Sequence, residues 1–187
     1  RQWPSYAGHG LPARRANQRT ITQSVGLIMA LDPNKIALCW PNYIDESLVS
    51  GGSWVPTLPL EHVQDDRFSV VAKTASLDPE DTQFSITLPK RQRLHAIAIP
   101  AHNMTSTATM RARVYRDPGQ TDLIYDTDFQ NVWPVLYGLE DVVWGNDNFW
   151  NRRLSDDDRK NYTPLAVIFF NERLLGSSVH VELRDTG

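Results

Sequence analysis

One cysteine, Cys39, stands in 187 residues, so no disulfide can close within the chain and its stability has to come from burial. Set in Ile36-Ala-Leu-Cys-Trp40 with no His or Lys beside it, it reads as a small buried hydrophobe rather than a reactive thiol. Long apolar runs are scarce too. None approaches the ~20 residues that span a bilayer as a helix, and Arg1–Tyr6 lacks a signal peptide's apolar region, so no membrane insertion is expected. Charge of one sign is not in excess: 19 Lys and Arg against 22 Asp and Glu leave a net charge of -3, which gives no global reason to expect nucleic acid as a partner. Also missing are a Gly-x-Ser-x-Gly elbow, a P-loop and a dinucleotide fingerprint. Gly51-Gly52 reads as a turn rather than a phosphate cradle.

What is present is short-period alternation broken by turn residues. In Thr82–Leu88, Phe84, Ile86 and Leu88 share one face while Gln83, Ser85 and Thr87 share the other, the pattern of a half-buried strand. A short basic turn then leads to a second strand, Leu94–Ile99, and a polar loop, Pro100–Thr107, to a third, Ala108–Tyr115. Asp117-Pro-Gly119 predicts a turn into Leu123–Tyr125. Further strands are expected at Lys35–Trp40, Phe68–Thr74, Pro164–Phe170 and Ser178–Arg184, with a helical turn near Leu60–Asp66. Pro56 and Pro59 mark Trp54–Leu60 as an edge or extended loop. Short strands separated by Pro, Gly, Asp and Asn turns, with no long amphipathic helix, predict an all-β sandwich in residues 35–187.

Residues 1–34 form an expected N-terminal arm. It has four arginines, no acid before Asp32 and little apolar period. Read as a frayed terminus it does nothing; read as an assembly segment it anchors on a neighbour through Trp3 and Tyr6, with Arg14 and Arg15 as polar contacts. The second candidate surface is aromatic. Trp133, Trp144 and Trp150, with Arg152 and several asparagines close by, fit three roles: a plug at one end of the sandwich, a protein interface, or a platform for stacking sugars.

The histidines show no metal spacing, neither His-x-His nor His-Glu-x-x-His, and no metal or cofactor is expected. Calcium is the best of the cation readings, through Asp78-Pro-Glu-Asp81 or Asn146-Asp-Asn148, yet neither follows an EF-hand loop. The acidic groups all sit in turn-like contexts, and no carboxylate pair can be assigned to one cleft, so no enzyme is expected. His102-Asn103 lies in a loop between core strands, where it serves either as a glycan contact or as a loop closed by its own hydrogen bonds.

The phrase Phe84-Ser-Ile-Thr-Leu-Pro89, followed by an alternating strand, a polar loop and Arg111-Ala-Arg-Val-Tyr115, resembles galactose-binding-like (discoidin-type) jelly-roll sandwiches, though the glycine and acid usual in that phrase are absent. Ser50-Gly-Gly-Ser-Trp54, Leu58-Pro-Leu60, the stretch from Arg67 to Thr74 and Ala101-His-Asn103 are similar to a group of tail-associated structural proteins of long-tailed bacteriophages. The resemblance covers roughly Lys35 to Gly187. It implies a jelly-roll β-sandwich with an extended N-terminal arm, made in the host cytoplasm and carried in the virion at the tail tip or baseplate. There it would act as a multi-copy adaptor binding other tail proteins. The alternative it implies is a carbohydrate-binding module that recognises host surface polysaccharide.

Overall fold

In the computed structural model, residues 41–67, 69–133, 144 and 163–186 are described, with the backbone alone for 171–173. Six strands are found among them: β1 Leu48–Ser50, β2 Gln83–Pro100, β3 Thr109–Tyr115, β4 Leu123–Asp126, β5 Gln130–Asn131 and β6 Leu165–Arg184. Helix among the described residues is limited to two 3-10 turns, Ile44–Glu46 and Leu60–Gln64. Every strand pairing is antiparallel, and the order is β1-β2-β6-β3-β4, with β5 added beside β3. The last strand is thus inserted between two earlier ones, the crossed connectivity of Greek-key and jelly-roll sheets. The expected all-β jelly-roll sandwich matches this architecture.

Alternation decides which face is buried. Across four strands Val49, Ile86, Val179 and Val114 form one buried row, and Phe84, Val181 and Ala112 form the next. Each Val, Ile or Phe side chain in these rows, removed from water, contributes about 1.5–3 kcal/mol. Gln83, Ser85, Arg111, Arg113, His180 and Glu182 occupy the intervening positions and line the opposite face.

Two expectations are corrected by the ladder. The strands expected at Thr82–Leu88 and Leu94–Ile99 are halves of one strand, β2, and those expected at Pro164–Phe170 and Ser178–Arg184 are halves of β6. Between them lie bulges rather than reversals. Residues 88–91 of β2 stand opposite Ser177 alone, and residues 170–173 of β6 stand opposite His95 alone, so the second bulge restores the register that the first displaces. The side chains follow: Phe84, Ile86 and Leu94 face the core before the second bulge, Ile97 and Ile99 after it. Bulges of this kind bend and twist a strand pair, which lets it turn a corner of a sandwich.

The expected strand at Phe68–Thr74 is not formed. Residues 69–74 make one isolated bridge, Thr74 to Trp54, together with hydrogen bonds from Val55 N to Lys73 O (2.8 Å) and from Lys73 N to Leu58 O (2.9 Å). Its partner segment contains Pro56 and Pro59, which have no N–H to donate, so the ladder stops there. Residues 35–40, expected as a strand, lie outside the described residues, as does the expected arm.

Candidate functional site

Three groupings of polar side chains are candidates, and they differ in whether those side chains are already engaged. The first is the outward face of the sheet. Ser85 Oγ lies 2.9 Å from His180 Nδ1, and Gln83 Oε1 lies 3.2 Å from His180 Nε2. These partners imply a neutral ring that accepts from Ser85 and donates to Gln83. Burial, and after it the positive charges of Arg113 and Arg111, hold the His180 pKa below its ordinary value. A serine, a histidine and an acid therefore meet, but not as a catalytic relay: Glu182 stays 3.8 Å from His180 Nε2 and is ion-paired to Arg113. Beside them Arg111 donates to both oxygens of Asp126, whose carboxyl is held low first by that hydrogen bond. The network links β2, β6, β3 and β4, and its members are committed to one another.

The second grouping is the loop at His102-Asn103. His102 is half-buried, its ring edge-on to Trp133 with centroids 5.4 Å apart, and its Nδ1 accepts from Met104 N at 3.3 Å. Burial pushes its pKa down, while Asp185 pulls weakly the other way. Thr105 donates through its backbone N–H (2.8 Å) and its hydroxyl to Asp185, and Thr107 reaches Thr186 at 3.2 Å. The loop is thus tied through Thr105 and Thr107 to the C-terminal residues Asp185 and Thr186; Asn103 is exposed.

Trp133 belongs to this end of the molecule and lies inside it. It is 8% exposed, packs in the core cluster and donates its indole N–H to Met104 O at 3.0 Å. It therefore offers a partner almost no surface, whereas Trp144 is 75% exposed. Trp3, Tyr6, Arg14, Arg15, Trp150 and Arg152 lie outside the described residues.

The third grouping was not singled out in the sequence. A depression of about 240 Å³ is lined by Pro41, Asn42, Tyr43 and Glu46 on one side and by Pro89, Lys90 and Gln92 on the other. The second wall is the first β2 bulge, and bulges commonly re-aim side chains beside binding sites. The first wall is the turn before β1. It is held by Ser47 Oγ donating to Tyr43 O (2.5 Å) and by Gln64 Nε2 donating to the carbonyls of Ile44 (2.7 Å) and Ser47 (2.6 Å). Tyr43 packs partly against the core while lining the depression, so its ring is braced. Asn42 donates to Asp45 at 2.7 Å. The side chains of Glu46, Lys90 and Gln92 make no hydrogen bond or ion pair among the described residues.

Among the described residues no group of His, Cys, Asp and Glu is placed to hold a metal ion. Of the two segments considered for calcium, Asp78–Asp81 forms a turn closed by Asp81 N to Asp78 O (2.9 Å) and by Ser76 Oγ to Asp81 (2.7 Å), and residues 146–148 lie outside the described residues.

No protein-family model matches the chain, and no curated protein matches it. A solved structure to which it is similar is the family 32 carbohydrate-binding module from C. perfringens NanJ in complex with galactose. The two are 10% identical, with a TM-score of 0.48 over 78% of this chain and 88% of that one.

Proposed function

We propose that this chain is a non-catalytic carbohydrate-binding module that takes its saccharide in the depression beside the β2 bulge. One observation carries the reading: Tyr43, Gln92, Glu46 and Lys90 converge there from two chain segments, and the last three polar ends have no partner among the described residues. A braced aromatic ring offers the stacking surface that the CH face of a sugar needs, and an amide with two charged groups can satisfy hydroxyls in either hydrogen-bonding sense. The volume, about 240 Å³, lies below the roughly 300–1,000 Å³ of drug-sized pockets, which suits one sugar ring of a longer glycan. Nothing in this arrangement calls for bond breaking, since the groups are placed to hold a ligand and no acid is set beside a nucleophile.

Calorimetric titration of the full chain with galactan and with other surface polysaccharides tests the reading. Gln92→Ala and Tyr43→Ala are each expected to weaken binding at least roughly tenfold, as truncation of a central contact does. Trp144→Ala is expected to leave it unchanged. Thermal melts separate lost contacts from lost fold, which matters for Tyr43 because it also packs on the core. The absence of any saccharide response would sink the proposal, and so would loss of binding on Trp144→Ala alone.

A second reading, an adaptor in a phage tail tip or baseplate, draws on the exposure of Trp144, since large exposed aromatics are characteristic interface anchors. It predicts co-purification with other tail proteins that Trp144→Ala abolishes. Failure to associate with any tail protein would remove it.

A further inference from the structure

Resting on the carbohydrate reading, we infer that the saccharide held at the β2 bulge is acidic, its carboxylate or sulfate met by Lys90 with Arg91 and Arg93 at the rim. The bulge takes Lys90 and Arg91 out of the ladder, which resumes at Gln92 and Arg93 opposite Gly176 and Leu175, and Lys90, Arg91 and Arg93 are all exposed. Of the other described arginines, four are paired with acids. Arg67 pairs with Asp65, Arg111 with Asp126, Arg113 with Glu182 and Arg116 with Asp122, while Arg184 lies over the Phe129 ring at 3.8 Å. The bulge cations have no such partner among the described residues. Among the described residues four other arginines are paired with acids, while Lys90 lines the depression unpaired and Arg91 and Arg93 are next in the chain to its lining residues Lys90 and Gln92, which places positive potential locally.

The same depression argues against a nucleic acid. Glu46 lines it alongside Lys90, and Asp45 stands next to it, accepting from Asn42. A DNA phosphate backbone has no free hydroxyl along its length to donate to these carboxylates, whereas an acidic saccharide can place its anionic group on Lys90 and its hydroxyls on Glu46 and Gln92. Lys90 acts here as a compact point charge, and the neighbouring guanidinium groups supply forked donors that suit carboxylate and sulfate.

The full chain is titrated in parallel with polygalacturonate, heparin, neutral galactan and duplex DNA. The expected result is that one of the two acidic saccharides binds at least roughly tenfold tighter than galactan, and that this advantage falls as salt is raised. Heparin carries carboxylates as well as sulfates, so binding of polygalacturonate assigns the carboxylate, and binding of heparin without polygalacturonate assigns the sulfate. The double variant Arg91→Glu, Arg93→Glu changes two exposed side chains that do not line the depression and is expected to remove most of the acidic preference while leaving galactan binding and the melting temperature in place. Equal binding of acidic and neutral glycans overturns the inference and leaves the carbohydrate reading standing. No response to any glycan overturns both, and DNA binding as tight as that of the acidic glycans overturns the inference in favour of a generic polyanion patch.

Discussion

Gly52 holds the corner after β1 in a conformation that a side chain resists on two counts. Its φ is +66°, in the left-handed region, and a Cβ built there would stand 2.5 Å from both the Asp81 and Gln83 carbonyl oxygens and 2.9 Å from Trp54 Nε1. Backbone atoms on either side cannot retreat cheaply, and Trp54 is itself tied to Gly51 O at 2.8 Å while meeting Phe84 edge-on. Gly52→Ala is expected to cost about 1–3 kcal/mol. Gly119→Ala is expected to cost less, at most about 1 kcal/mol, because the glycine is not in the left-handed region and the nearest atom, an Asp117 carboxylate oxygen at 3.1 Å that Thr121 holds, has to give by only a few tenths of an ångström. Chemical denaturation of the two variants checks the contrast, and equal midpoints would refute it. The paired glycines announce a reversal in the sequence, and that much was legible. Trp133 and Trp144 were not told apart, because what buries one of them is an acceptor on a distant loop, Met104 O, which no local spacing reports.

At the level of elements, alternation identifies the core face correctly wherever a strand is regular: Phe84, Ile86, Met110, Ala112, Val114, Val179 and Val181 are all buried. It fails at the bulges. Pro89-Lys90-Arg91 has the composition of a turn, and only the strand opposite, which continues through Leu174 and Gly176, makes it an interruption in one long strand. The candidate site fell into the same gap. Residues 41–46 and 89–92 are far apart in the sequence, neither segment has a motif, and the depression exists because the bulge and the turn before β1 meet. The one local signal was a basic run placed where a strand had just lost its alternation. Compensation between the bulges yields a prediction. Deleting residues 89–91 removes the three extra residues of the first bulge and leaves those of the second unmatched, so the pairs from Ala96–Phe169 to Pro100–Leu165 can no longer form in register with the rest. A loss of about 3 kcal/mol or more is expected, visible as a fall in Tm of roughly 6–12 °C. An unchanged Tm would show that the halves of β2 fold without reference to each other.

For the whole molecule, the titrating groups with lowered pKa act in the same direction. His180 and His102 are held below the ordinary 6.5, in both cases chiefly by burial, so in the window beneath that value the unfolded chain binds protons that the folded chain refuses. Stability therefore falls as pH drops below about 6.5, by at most about 1.4 kcal/mol per pH unit for each fully titrating group. Asp126, held down by Arg111, and Asp117, held down first by the backbone N–H groups of Asp122 and Thr121, lie below the ordinary 3.8 and extend the trend. Their contribution is complete above that value and is lost as pH falls through their lower folded values. Melting temperature plotted against pH should thus descend in two stages, one in the histidine range and one in the carboxylate range. Replacing His180 and His102 together by Gln should flatten the first stage without touching the second, since the Arg111–Asp126 pair and the Asp117 turn are built from other residues. A profile that stays level between about pH 7.5 and 5 would contradict the neutral, partly buried state assigned to both rings. A first stage that survives the double substitution would move its origin to groups other than these two.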